Sequence, residues 1–327
     1  MTEQPDSSMD DSSMSQKRSV EVKPRGTSIG FLILAVLITF VAYWMDQQGQ
    51  AVSQTPPVLV LQQPSLENFR SDLWQLPDEP LLGFVEISAG QFLMGSDPAV
   101  DRQAYENERW SDSQRQGRVV LPEFYIGRYE VIVAQYQAFV QATGRTVVAQ
   151  TLSAAADHPV SSITWTDALA YCRWLETNLM NSSDTPDQIR DLLTQGWRVS
   201  LPSEAQWEKA ARGVNGAIHP WGNPLVGNRA NYESSTTQAV GNYDCPECNN
   251  GLADMSGNVW ELTSSPYQSY PYDPDDDRLN LFEDALWVMR GGSFSDGAAN
   301  IRSAVRGAVD PGVRNSTIGF RLVLTPP

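Results

Sequence analysis

Hydrophobic and polar positions divide this chain into stretches of different character. Residues 1–28 are rich in Ser, Asp and Gln and show no apolar periodicity, the composition of a disordered tail. An uncharged apolar run follows from Ile29 to Met45; its seventeen residues lie near the short end for a bilayer-spanning helix. Tyr43-Trp44 at its end resembles an interfacial anchor, and no small-residue cleavage site follows. An uncleaved signal anchor is therefore expected over 29–45, ahead of a removed signal peptide or a buried core helix. Residues 46–77 are Gln- and Pro-rich and read as an extended linker. One folded domain is expected over 78–327, and nine of the ten tryptophans lie beyond residue 70.

Three helices in that domain are legible from caps as well as spacing. Apolar residues at Trp165, Ala168, Leu169, Cys172 and Leu175 line one helical face, with Thr164 and Asp167 placed to form a capping box. Ser203 and Gln206 form a second box, and Gly213 supplies the stop after Arg212. A third helix is expected over Val133 to Thr143, closed by Gly144 and weakly capped because Ile132 offers no side-chain acceptor. Short strands are expected within Phe84 to Met94, Arg118 to Tyr129 and Gly319 to Leu324. The long loops between them need ions, a disulfide or function to order them.

Charge sets orientation and excludes some partners. Lys17, Arg18, Lys23 and Arg25 precede the apolar run, and the next basic residue is Arg70. The positive-inside rule then places the tail in the cytoplasm and the C-terminal domain outside, in the periplasm of a bacterial inner membrane. A net charge of −16 argues against nucleic acid as partner. Asp273 to Arg278 (DPDDDR) reads as a solvated loop without the spacing of a calcium loop. Cys172 falls on an apolar helical face and reads as a core thiol. Cys245 and Cys248 read as a disulfide that staples a loop, with a redox-active pair as the alternative. Zinc would need two further ligands, and the only histidines, His158 and His219, each precede a proline.

Seven blocks then follow one another in a characteristic order. They are Gly90 to Ser96 (GQFLMGS), Phe124 to Val131, the segment from His158-Pro159-Val160 through Leu175, Leu201 to Glu208 (LPSEAQWE), Pro220 to Asn223 (PWGN), Asp254 to Glu261 (DMSGNVWE), and a final cassette. That cassette reads Arg290-Gly291-Gly292-Ser293-Phe294, then Arg302-Ser303-Ala304-Val305-Arg306, Pro311, and Ile318-Gly319-Phe320-Arg321. Together the blocks resemble the formylglycine-generating enzyme, or sulfatase-modifying factor, family over about residues 84 to 324. The resemblance implies an α/β (α+β) domain of low regular secondary structure, related to the C-type lectin fold.

Family enzymes carry two copper-binding cysteines between the Gly-Gly-Ser turn and the next arginine. Asp296 and Ile301 fall about there in this chain. Copper(I) wants soft thiolates, so copper-dependent formylglycine formation is not expected. Trp260, Ser293, Asp296, Arg302 and Arg306 remain as pocket candidates. The arginines would hold a carboxylate or phosphate if exposed, or pair with internal carboxylates if not. Alternation over Asp254 to Glu261 would aim the Asp254 and Glu261 carboxylates and the Gly257 and Val259 carbonyls at one point. Oxygen donors of this kind suit a structural Ca²⁺, and the resemblance places a family calcium site there. A second family calcium site would begin at Asn231, but its later aspartate has no counterpart. Iron-dependent relatives need a three-histidine set that two histidines cannot supply.

Two function classes remain. One is a noncatalytic binding or accessory domain, a pseudoenzyme whose pocket takes a periplasmic protein or peptide. The other is a maturation enzyme that oxidises without cysteines, as relatives that assist siderophore maturation do. A binding variant is a retroelement-diversified protein, with Ser295 to Ile301, Gly307 to Val309 and Asn315 to Thr317 as the variable surface.

Overall fold

The computed structural model describes residues 66–277 and 285–327. The expected tail and membrane anchor lie outside the described residues, and no described helix is long and apolar enough to cross a membrane.

The chain enters the fold earlier than its composition suggests. Strand β1 (Phe69–Arg70) pairs with β2 (Leu76–Pro77), and Leu73 and Leu76 are buried in the core, so the last part of the expected linker is structure. Few apolar side chains suffice here because Leu73 and Leu76 are inserted fully, and the half-buried Trp74 meets Trp174 edge-on at 5.9 Å. Next come β3 (Phe84–Ile87) and β4 (Gly90–Met94), then β5 (Gly117–Leu121) and β6 (Phe124–Glu130). Each of the first two expected strand stretches is thus a pair of strands joined by a tight connection.

Helix α1 (Val133–Thr143) and helix α2 (Trp165–Asn181) occupy the expected ranges. Thr164 accepts from the Asp167 backbone N–H and Asp167 answers to Thr164, the reciprocal box read from the sequence. At α1 the Ile132 side chain has no acceptor. Only half a box forms, through the Gln135 amide oxygen accepting from the Ile132 N–H at 2.9 Å. A helix not expected, α3 (Asp187–Thr194), packs Ile189 and Leu193 inward. It is short and preceded by Pro186, so its periodicity is too brief to stand out. Strand β7 (Arg198–Ser200) leads into α4 (Glu204–Arg212), whose Ser203–Gln206 box and Gly213 stop are as expected.

Strands β8 (Trp260–Pro266), β9 (Trp287–Arg290), β10 (Arg306–Val309), β11 (Ile318–Gly319) and β12 (Arg321–Thr325) complete the fold. They form two four-stranded sheets, β3-β6-β12-β7 and β10-β9-β8-β11. The segment Ile318–Arg321 ties the sheets together, pairing Gly319 with Glu261 in one and Arg321 with Glu130 in the other. Gly319 permits this crossing, since a side chain there would lie 2.5 Å from the Val160 carbonyl. One core gathers α1, α2 and α3 with Trp260, Trp287 and Phe320; a second sits beneath α4, around Trp207 and Phe92.

Candidate functional site

The C-terminal cassette leaves β9 through Gly291 and Gly292, both at positive φ (96° and 74°). A side chain on Gly292 would meet the Asn300 carbonyl at 2.6 Å, so the loop from 293 to 301 folds tightly back on its start. Asp296 is the knot of that loop. Its Oδ2 accepts from Trp260 Nε1 (2.9 Å), the Ser293 N–H (3.0 Å) and Ser293 Oγ (2.6 Å), and its Oδ1 accepts from Asn300 Nδ2 (2.9 Å). Ile301 is fully buried, and its carbonyl accepts from Ser256 Oγ at 2.7 Å. The positions that resemble the thiol pair are therefore a hydrogen-bonded staple and a core side chain. Neither offers a thiol nucleophile or a soft metal donor.

The arginines of the cassette face inward. Arg302 donates Nη1 to Asp101 (2.5 Å) and holds both Glu108 carboxylate oxygens, at 2.9 and 2.7 Å. Arg306 grips both oxygens of Glu204 through Nε (2.5 Å) and Nη2 (2.8 Å). Arg290, on β9, bridges Glu204 (3.0 Å) and Glu208 (2.5 Å), which lie one turn apart on α4. Arg212 completes the set on Glu208 at 2.7 Å. Arg302 and Arg306 are 1 % and 7 % exposed, so of the two roles open to them the structure shows the internal one. Two signature blocks thus meet in a buried ion-pair network, LPSEAQWE supplying Glu204 and Glu208 and the final cassette Arg290 and Arg306, while Arg302 is paired with Asp101 and Glu108 outside the blocks. Breaking one such pair leaves an uncompensated buried charge and costs about 3–5 kcal/mol.

The Asp254 to Glu261 segment is not extended, as the expected alternation required. Asp254, Gly257 and Asn258 all have positive φ, and a side chain on Gly257 would sit 2.2 Å from the Asn231 carbonyl. The Glu261 carboxylate is engaged on both oxygens by Arg321, through Nε (2.5 Å) and Nη2 (2.6 Å). Trp207 Nε1 also donates to it at 2.7 Å. Asn231 is a tie, donating Nδ2 to the Thr236 carbonyl (3.0 Å) and to Asn258 Oδ1 (3.2 Å).

Charge around this segment is nonetheless unbalanced. Glu130, Asp254 and Glu261 share the influence of one guanidinium, Arg321. Burial, with Asp254 and Glu261 nearby, pushes the Glu130 carboxyl well up, and burial pushes Asp254 up to about 6. No group of three or more His, Cys, Asp or Glu side chains is arranged to hold a metal among the described residues. A site built on two carboxylates and two backbone carbonyls is of another kind. Of its two carboxylates, Glu261 is held on both oxygens by Arg321, and Asp254 Oδ2 accepts from the Gly241 N–H at 2.6 Å.

Cys245 and Cys248 form a disulfide, and Cys172 is a free, buried thiol whose pKa burial raises. The acidic loop is less solvated than its sequence suggests. Asp277 turns inward and accepts from Ser265 Oγ and Tyr272 Oη, and burial holds its carboxyl up at about 6.

The structure also contains a cavity that none of the motif blocks predicted. About 230 Å³ opens beside Arg306, between the loop carrying Asn107, Arg109 and Trp110 and the segment Tyr267 to Tyr270. Only the charged and aromatic run Glu106 to Trp110, inside a loop, hinted at it. Among the described residues, Arg306 lines two cavities, and the four cavities formed there include none lined by Trp260, Ser293, Asp296 or Arg302.

These features define a domain whose 293–301 loop carries no cysteine and whose cassette arginines are buried in internal ion pairs. The sulfatase-modifying factor enzyme 1-like domain matches residues 71–326, and the chain belongs to that family. It is 32 % identical over 180 residues to the inactive C-alpha-formylglycine-generating enzyme 2 of Bos taurus, covering half of each protein. The chain spans about half the length of the first curated relatives it matches. Among solved structures, PvdO from Pseudomonas aeruginosa superposes with a TM-score of 0.58 at 22 % identity, covering 74 % of this chain and 94 % of that one. Treponema denticola variable protein 1 superposes at 0.55 with 25 % identity, covering 74 % and 95 %. At 22 % identity the likeness to PvdO speaks to the fold alone.

Proposed function

We propose that this protein is a noncatalytic binding or accessory domain, held outside the cell membrane by the apolar run 29–45. The observation that carries this reading is Asp296. A family oxidase needs reactive thiols in that loop, and here the corresponding carboxylate is spent on four hydrogen bonds that hold the loop shut. The similarity to a relative named inactive supports the same direction. A periplasmic protein or peptide is the partner class that fits an extracytoplasmic location. A structural Ca²⁺ beside Asp254 would offset the surplus carboxylate charge next to Arg321 and order the loop between the sheets.

The test is chemical. The purified protein, supplied with Cu²⁺ and oxygen, should leave a Cys-x-Pro-x-Arg peptide unchanged by mass spectrometry. Conversion of that cysteine to an aldehyde would overturn the noncatalytic reading. The likeness to a variable protein favours one second reading, a diversified binding surface. Ser295, Gly297, Ala308, Asn315 and Ser316 are exposed, whereas Ile301 and Val309 within the same segments are buried and would have to stay constant. A reverse transcriptase gene with a template repeat nearby would select this reading, and its absence would remove it.

A further inference from the structure

We propose that the Cys245–Cys248 disulfide is a thiol–disulfide exchange site that oxidises a dithiol in a protein or peptide, with Cys245 as the sulfur attacked. The inference concerns a different loop from 293–301 and stands whether or not that loop binds a partner.

The disulfide adds little that the fold does not already supply. Only Pro246 and Glu247 separate its cysteines, and loop-closure entropy grows with ring size, so this ring does little to constrain the unfolded chain. The turn it spans is also closed by backbone, the Cys248 N–H donating to the Cys245 carbonyl at 3.0 Å. On either side the chain is fastened without sulfur. The Gly241 N–H donates to Asp254 Oδ2 at 2.6 Å. The Asn249 N–H donates to the Pro220 carbonyl at 3.0 Å and Asn249 Nδ2 to the Ala210 carbonyl at 2.9 Å, while Leu252 is buried in the second core. A loop held in this way keeps its shape without the S–S bond, which leaves the bond free for chemistry.

The two sulfurs are not equivalent. Cys245 is half-buried and lies between the exposed Asp244 and Pro246, whereas Cys248 is 9 % exposed and leads into the turn that Asn249 ties to α4. An incoming thiolate therefore meets Cys245 and displaces Cys248. Arg229 assists that departure. Its Nη1 donates to the Asp244 carbonyl and its Nη2 pairs with Glu247 at 2.6 Å, so one guanidinium holds the residue before each cysteine. A cation fixed there favours thiolate over thiol, the service that a helix N-terminus performs in other pairs of this spacing. Here the residues that follow, Asn249–Gly251, form only a single short turn.

The exchange balances between protein and substrate. The first substrate thiolate bonds to Cys245 Sγ, the S–S bond breaks, and its electron pair leaves on Cys248 Sγ. The second substrate thiolate attacks the substrate sulfur of that mixed disulfide and releases Cys245 as thiolate. The substrate loses two electrons and two protons and becomes a disulfide, and the protons end on Cys245 and Cys248. One turnover needs no other oxidant. Cys172 takes no part, since it is 1 % exposed and burial raises its pKa.

The experiment uses the full chain in detergent, without air. A reduced synthetic peptide carrying two cysteines is added in equimolar amount, and alkylation with mass spectrometry reads the thiols of both molecules. The peptide should become a disulfide while Cys245 and Cys248, and not Cys172, become alkylatable. This should run faster than oxidation of the peptide by the same concentration of glutathione disulfide. Arg229→Met should slow it about threefold to tenfold, as a thiolate pKa raised by roughly one to two units would give, whereas a merely loosened loop would exchange faster. Cys248→Ser given glutathione disulfide should carry one glutathione on Cys245, and Cys245→Ser should acquire it on Cys248 far more slowly. The wild-type comparison with glutathione disulfide needs no variant, so the test holds if one of them unfolds. A disulfide that the peptide reduces only after unfolding, or no faster than glutathione disulfide, overturns the inference. So does a rate unchanged or raised in Arg229→Met, or glutathione taken up preferentially by Cys248.

Discussion

Asp296 is where structural and chemical readings of the cassette diverge most sharply, and replacing it separates them. Asp296→Ala removes the acceptor for Trp260 Nε1, the Ser293 N–H and Ser293 Oγ, and releases Asn300. Trp260 and Ser293 are 8 % and 1 % exposed, so water cannot freely replace the carboxylate at either donor. Each buried donor left alone costs about 1–3 kcal/mol. The Ser293 hydroxyl can rotate to another acceptor, and Asn300 lies near solvent, so two donors carry the loss. The expected destabilisation is therefore about 2–6 kcal/mol. At about 2–4 °C per kcal/mol for a domain of this size, the melting temperature should fall by roughly 4–24 °C. Asp296→Asn keeps one acceptor oxygen and should cost about half as much. Urea unfolding of the wild type, both variants, Trp260→Phe and the double variant would give the coupling between Asp296 and Trp260, expected near 1 kcal/mol. If Asp296→Ala unfolds within about 0.5 kcal/mol of the wild type, the staple carries no load and Asp296 must be re-examined as a reactive group.

Three further outcomes are expected. If calcium binds beside Asp254, EDTA lowers the melting temperature and millimolar Ca²⁺ on a micromolar site restores about 4 kcal/mol. Asp254→Asn should remove that response; Glu261→Ala would unfold the protein through Arg321 whatever the metal does, and an unchanged melt in EDTA with a metal-free elemental analysis refutes the site. Burial holds the Asp277 carboxyl at about 6 against an ordinary 3.8, so between those values the native chain binds more protons than the unfolded one, and the stability this group supplies at low pH is lost as pH rises through 6. Compared with Asp277→Asn in urea unfolding, the wild type should gain about 1–3 kcal/mol on going from pH 7 to pH 4, and a pH-independent difference counts against the assignment. Cys245 and Cys248 should resist alkylation until reduced, while Cys172 should react only after unfolding; rapid labelling of Cys245 in native, unreduced protein would contradict the disulfide.

Local chemistry explains which parts of the fold were legible. α2 and α4 start where Thr164 and Ser203 stand because a capping box lies within four residues and satisfies the first backbone N–H groups whatever the tertiary context. The structure between residues 66 and 77 was hidden because β1 and β2 are only two residues each, too short for alternation, and their value lies in burying Leu73 and Leu76 against distant helices. Helix α3 was hidden for the same reason. The Asp254 to Glu261 segment misled in another way. Its alternating donors suggested an extended ribbon, whereas three residues at positive φ fold it, and only the contact between Gly257 and the Asn231 backbone explains that requirement.

The site was legible as a set of residues and not as a set of partners. Arg290, Arg302, Arg306 and Arg321 stand out in the sequence, as do Glu204, Glu208 and Glu261, but spacing along a chain does not say which guanidinium meets which carboxylate. The pairings span 60 to 201 residues. They are set by the fold: β11 lies beside β8 with Gly319 opposite Glu261, which brings Arg321 two residues on to that carboxylate, and β9 carries Arg290 to Glu204 and Glu208 on α4. A recurring motif can therefore persist for two separate reasons, chemistry at a pocket or charge balance in a core. In this chain the second is sufficient for LPSEAQWE and for most of the final cassette. The ion pairs do not depend on cysteine at positions 296 and 301, where Asp296 and Ile301 stand. The fold can therefore hold its shape through these buried pairs whatever chemistry its surface carries.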